Sequence, residues 1–160
     1  MGNAPHAPDD DMSHCRHVAA TTLARSFYHY LDRHRVDEAV ECLGNDFRGH
    51  GMGSDRNGFR AEVGAWLAAF PDLRISIDRL VCDGSFVAAR LSVRGTHHGR
   101  FAGLSPTGRP IDIAGTDLLH EDAGRFVEGW SLRDLNGLWV QLGVVPQRPV
   151  VHQPSERTTS

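Results

Sequence analysis

Three carboxylates and a histidine sit where acid/base chemistry is open to them: Asp117, Glu128, Asp134 and His97. The segment Ile111–Asp134 reads as two strands joined by the tight turn Glu121-Asp122-Ala123-Gly124. Side chains alternate along a strand, so each strand has two faces. With His120 paired to Arg125, one face collects Ile111, Ile113, Gly115, Asp117 and Leu119 with Phe126, Glu128, Trp130, Leu132 and Asp134. An unpaired charge on so apolar a face is costly. A chain keeps such groups when they pair, or when a site needs a carboxylate of shifted pKa. A one-residue slip in register would exchange the two faces.

On that register Asp134 lies at its strand's end, beside Trp130 and Leu132. It is placed to remove a proton alpha to a carbonyl and return one to a new alkoxide. The alternative is an Asp that caps the turn signalled by Asn136-Gly137. His97 closes the preceding strand and falls near Ile111, opposite Asp134, where it could hydrogen-bond the aspartate or polarise a carbonyl. Asp117 and Glu128 become cross-strand neighbours, an acid pair that cannot ionise twice cheaply. The bland reading has both solvated, or neutralised by an arginine. His50, in the Gly-rich run RGHGMGSDRNG, is a candidate for the pocket lining or an ordinary loop histidine. Tyr28 and Tyr30 could present hydroxyls to a ligand, although helix tyrosines more often pack in the core. Trp66, Phe70 and Trp130 read as core or pocket wall. Ten histidines invite a metal reading, but no H-E-x-x-H or comparable spacing occurs. A P-loop and a G-x-S-x-G elbow are also missing.

The elements that position these groups come in the order helices, then strands. Leu23, Phe27, Tyr30 and Leu31 form the stripe of a helix over 18–31. Val36, Ala39, Val40 and Leu43 mark a second helix. Phe59, Val63, Trp66, Leu67 and Phe70 mark a third over 57–70, stopped by Pro71. Alternation then predicts strands over 73–81 and 86–97, with the loop GRFAGLSPTGRP leading to the pair described above. Helices segregated from antiparallel strands make an α+β fold, a curved sheet wrapped on three helices around an apolar cavity. The ends are rich in Pro, Asp and His or in Pro, Gln, Ser and Thr. They are read as disordered tails over 1–16 and 147–160 around a domain over 17–146.

Composition narrows the classes. The chain has 160 residues and a net charge of −3, with Lys and Arg scattered, which leaves no footprint for nucleic acid. No apolar run approaches the ~20 residues of a membrane-spanning helix, and the acidic start lacks a secretory signal's apolar segment. Cys15, Cys42 and Cys82 have neither framework nor zinc spacing. A cytoplasmic protein is expected.

Taken in order, the segments AWLAAFPDLRISI, VAARLSVRGTHHGRFAG, LSPTGRPIDIAGTD and GRFVEGWSLRDLNGLWVQLG resemble the SnoaL-like polyketide cyclases, over roughly residues 20–146. That family shares a cone-shaped α+β fold with ketosteroid isomerase and scytalone dehydratase. The resemblance implies closure of an aromatic polyketide ring by intramolecular aldol condensation, without metal or organic cofactor. Asp134, in WSLRD after a Trp, matches the family's general acid/base. Related proteins are linked to hydroxylation of the tetracyclic product, which gives a second enzymatic reading. A non-catalytic ligand-binding or docking module is the reading from another class, and the embedded carboxylates argue against it. The mixed outer face of Ala88, Arg90, Ser92, Arg94, Ala114, Thr116 and Leu118, with relatives that dimerise through their sheets, implies a homodimer.

Overall fold

The computed structural model describes residues 8–145. In chain order these form α1 (Pro8–Asp32), α2 (Val36–Glu41), β1 (Leu43–His50), α3 (Arg56–Ala69), β2 (Arg74–Asp83), β3 (Phe86–Thr96), β4 (Pro110–Asp122), β5 (Arg125–Arg133) and α4 (Leu135–Leu142). The expected α+β class is present, as a curved five-stranded sheet that is not closed into a barrel. The sheet runs β1-β5-β4-β3-β2. β1 joins β5 in parallel and every other pairing is antiparallel. Two elements go beyond the sequence reading: the edge strand β1, hidden in a polar, Gly-containing stretch, and a fourth helix after Asp134. α1 begins at Pro8, ahead of the domain boundary read at residue 17. Pro at a first helical position suits a helix start. The tail readings over 1–7 and 146–160 lie outside the described residues.

Burial follows the periodicities. On α1, Ala20, Ala24, Phe27, Tyr28 and Leu31 are buried at helical spacing. Phe27 meets Tyr28, Phe59 and Phe126 edge-on or tilted, at centroid separations of 5.2, 5.6 and 5.6 Å. α3 starts where the Asp55 carboxylate accepts from Gly58 N at 2.8 Å, satisfying one of the orphan N–H groups of a helix terminus. It ends before Pro71. β3 and β4 alternate buried and exposed residues along most of their length. Their inner faces supply Val87, Ala89, Leu91, Ile113 and Leu119 to the core. The Val, Leu and Ile side chains among them each contribute about 1.5–3 kcal/mol by leaving water. A second cluster, around Phe70, Leu73, Val93, Ile113, Leu138 and Leu142, seats α4 against β4.

The β4–β5 hairpin corrects the expected register. Asp122 pairs with Arg125 and Glu121 with Phe126, across a two-residue turn of Ala123 (φ 48°) and Gly124 (φ 78°). Two successive positive-φ residues give the primed turn that matches strand twist. The next pair is His120 with Glu128. Val127 is therefore an extra residue, a bulge that switches the facing of everything after it. Phe126 points inward as expected. Beyond the bulge, Gly129, Ser131 and Arg133 occupy the inner face, while Glu128, Trp130 and Leu132 lie outside.

Candidate active site

Asp117 is the residue around which the interior is organised. It lies on β4, 1 % exposed, directly across from Ser131 of β5. Its Oδ1 accepts from Ser131 Oγ at 2.7 Å and from Arg133 Nη1 at 2.6 Å. Its Oδ2 accepts from the Tyr28 hydroxyl at 2.7 Å and Arg133 Nη2 at 3.3 Å. Both carboxylate oxygens are thus served by charged or hydroxyl donors, the arrangement under which a buried charge is tolerated. Arg133 reaches Asp117 by folding across Gly115, its partner on β4. A Cβ there would stand 3.0 Å from Arg133 Cδ and Nη1. Burial disfavours the guanidinium charge, but Asp117 outweighs it and holds Arg133 above its ordinary pKa. Burial, then the neighbouring Asp117, pushes the Tyr28 phenol well above its usual range.

Asp117, Ser131 and Arg133 line a small cavity of about 70 Å³ that opens to solvent. Asp117, Ser131 and Arg133 supply its polar part. Leu31, Phe59, Val63, Leu73, Ile75 and Val93 supply apolar wall, with Trp66 from α3 and with Gly51 and Met52 from the loop after β1. The remaining lining residue is Glu62 of α3, half-buried. Burial pushes its carboxyl above the ordinary glutamate value, and Arg133 and the Gly53 amide pull it partly back.

The sequence-derived candidates separate. Asp117 and Trp66 line the cavity. Asp134 is exposed and caps α4, accepting from Gly137 N at 2.8 Å, so the turn-capping alternative describes its geometry. His97 is fully buried, but in the second cluster, 5.3 Å from Phe70 between ring centroids. Thr107 N donates to its Nδ1 at 3.2 Å. The structure does not bring His97 and Asp134 together: His97 pairs with Arg109, while Asp134 N bonds to Ala114 O. The expected Asp117–Glu128 acid pair is replaced by Asp117 with Arg133, because the bulge turns Glu128 outward. Glu128 there accepts from Arg48 and pairs with His50 at 3.0 Å. His50 is exposed and stacks on Trp130 at 5.2 Å. Both therefore stand on the outer face rather than in the pocket. Tyr30 is half-buried beneath the Arg35 guanidinium, 5.0 Å from the ring centroid, and does not line the cavity.

Sequence reasoning missed Glu62, Ser131 and Arg133. For Glu62 a signal existed: Phe59, Glu62, Val63 and Trp66 stand at i, i+3, i+4 and i+7, so a carboxylate occupies a core-facing stripe. For Arg133 and Ser131 the bulge hid the facing. Among the described residues no group of three or more His, Cys, Asp or Glu is placed to hold a metal ion, and no helix is long and apolar enough to cross a membrane.

Solved structures share this architecture. AclR of Streptomyces galilaeus, a proposed hydroxylase, matches with a TM-score of 0.78 at 24% identity, over 84% of this chain and 87% of that one. TsrD of Streptomyces laurentii matches with a TM-score of 0.73 at 25% identity, over 80% and 97%. IdmH of Streptomyces antibioticus, a proposed polyketide cyclase, matches with a TM-score of 0.69 at 28% identity, over 78% and 99%. No curated protein sequence matches the chain. The family described as SnoaL-like polyketide cyclase matches residues 21–142, which takes in every strand and all the cavity-lining residues. The chain belongs to the SnoaL-like polyketide cyclase family.

Proposed function

We propose that the chain is an enzyme of aromatic polyketide biosynthesis that closes a ring by intramolecular aldol condensation. The observation that carries this reading is the buried Arg133–Asp117 pair in the wall of a largely apolar cavity. A guanidinium has five N–H donors. Two on Nη1 go to Asp117 and to Leu132 O, and one on Nη2 goes to Asp117. The Nε–H and the second Nη2–H have no partner among the described residues, and a substrate carbonyl can take them. When a carbon alpha to that carbonyl loses its proton, charge moves onto the oxygen. A fixed cation in a poorly hydrated pocket stabilises it without reorganising. Asp117 is committed in this scheme to Tyr28, Ser131 and Arg133. It orients Arg133 and keeps the pocket's charge balanced. Trp66, Phe59 and the aliphatic wall suit the faces of a fused aromatic ligand. In this reading Arg133 supplies the electrophilic help, so neither metal nor organic cofactor is called for.

The test is turnover of an anthraquinone-type polyketide precursor by wild type, Asp117→Asn, Arg133→Met and Asp134→Asn at matched folded fraction. Losing an oxyanion donor costs about 10²–10³ in kcat; that loss is expected for Arg133→Met directly and for Asp117→Asn through the lost orientation of Arg133. Asp134→Asn is expected near wild type. Collapse of Asp134→Asn with Arg133→Met intact would return the chemistry to the strand end. Thermal-shift screening of anthraquinones against simple lipids separates the enzyme from the ligand-docking alternative.

A further inference from the structure

We propose that Glu62 is the catalytic group that carries the proton in this cavity, acting on the carbon alpha to the carbonyl that Arg133 holds. The proposal rests on the ring-closing reading above and adds the base which that reading leaves open. Glu62 shares the cavity wall with Asp117 and Arg133. It stands on α3, opposite the strands that carry the other two, so a flat ligand between helix and sheet meets both. Among the described residues its carboxylate makes no side-chain hydrogen bond, whereas Asp117 is committed to Tyr28, Ser131 and Arg133. A half-buried carboxylate on the core-facing stripe of a helix, steadied by the Gly53 amide and facing Arg133 but held by no side-chain hydrogen bond among the described residues, is free to meet a ligand in the cavity. Its burial also raises its affinity for a proton, in the direction a base working near neutrality requires.

The step balances within the substrate and Glu62. The carboxylate takes the alpha proton, the C–H pair becomes the enolate C=C bond, and the carbonyl π pair moves to the oxygen beside Arg133. The enolate carbon then attacks a second carbonyl of the same molecule. The new alkoxide takes the proton back from Glu62, which ends as it began.

The probe is 1-tetralone in D₂O, with exchange of its C2 protons followed by NMR. Wild type is expected to accelerate exchange, with a rate that rises with pH through the titration of Glu62. Glu62→Gln should lose about 10²–10⁴-fold and the pH limb, and Glu62→Asp should recover part of the rate. If Glu62→Gln exchanges within threefold of wild type while Arg133→Met is slow, Glu62 is not the base and the ring-closing reading stands. If wild type fails to accelerate exchange, both fall. A second readout needs no ligand. A carboxyl raised in the folded state stabilises the fold below the unfolded value of about 4.3 and loses that contribution as pH rises through the folded value. Glu62→Gln should therefore melt with wild type at pH 4 and above it at pH 7. Equal or lower melting at pH 7 would overturn the assignment.

Discussion

Asp117 and Asp134 both belong to the β4–β5 hairpin region, and their surroundings give them opposite roles. Asp117 is buried and charge-paired, and Asp134 stands in water with its carboxylate on a helix N-terminus. Removing a partner from a buried pair leaves the other charge uncompensated, typically at 3–5 kcal/mol. Asp117→Asn is therefore expected to lower unfolding stability by about 3–5 kcal/mol, read from urea midpoints at constant m-value. Asp134→Ala removes only a cap, expected at about 0.5–2 kcal/mol, with turnover kept. If Asp117→Asn proves the milder of the two, the assignment of core and cap is reversed. Trp130→Ala should leave ligand affinity intact, because that ring lies on the outer face against His50; a fall in affinity by isothermal titration would contradict this.

At the scale of elements, the bulge at Val127 and the loop after β1 decide what the cavity contains. The bulge turns Ser131 and Arg133 inward. The loop sets Gly51 against Ser131 of β5 and Gly53 against Phe59 of α3, and puts Gly51 and Met52 in the cavity wall. It is held close: a Cβ on Gly49 would lie 1.8 Å from the Gly53 carbonyl oxygen, a backbone atom that cannot rotate away. Gly49→Ala is thus expected to cost at or above the ~1–3 kcal/mol of ordinary overpacking, and to abolish ligand-dependent thermal stabilisation as the loop is displaced. A variant with wild-type midpoint and ligand shift would show that the loop does not wall the site.

For the whole molecule, the outer sheet face bears on assembly. Leu118 pairs with Trp130 and Thr116 with Leu132 across β4 and β5. Leu132 is 75 % exposed, and Leu118 and Trp130 retain more than a third of their surface. Contiguous apolar surface of this kind is what partner binding covers. We expect a homodimer through this face at micromolar concentration, measured by sedimentation equilibrium. Leu118→Glu with Leu132→Glu should shift it to monomer without moving the cavity. A monomeric wild type would leave the patch to another role.

The sequence alone determined the fold class and most elements, because amphipathic periodicity is a local property of the chain. The stripe of α3, its stop at Pro71 and the alternation of β3 and β4 could each be read within about ten residues. The ordered run of motifs over the later strands also carried the family. Asp117 was legible as an inward carboxylate for the same reason: it lies on a regular strand. Its true partners were not. Which of Glu128 or Ser131 it faces depends on one bulged residue, and a period of two turns that single residue into an exchange of faces along half of β5. The strand β1 was also illegible, since its parallel pairing with β5 brings together segments some eighty residues apart. Only the tertiary structure decided that Arg133, Asp117 and Glu62 surround the same cavity. They come from three separate elements, and no pattern within any one of them records the distance to the others.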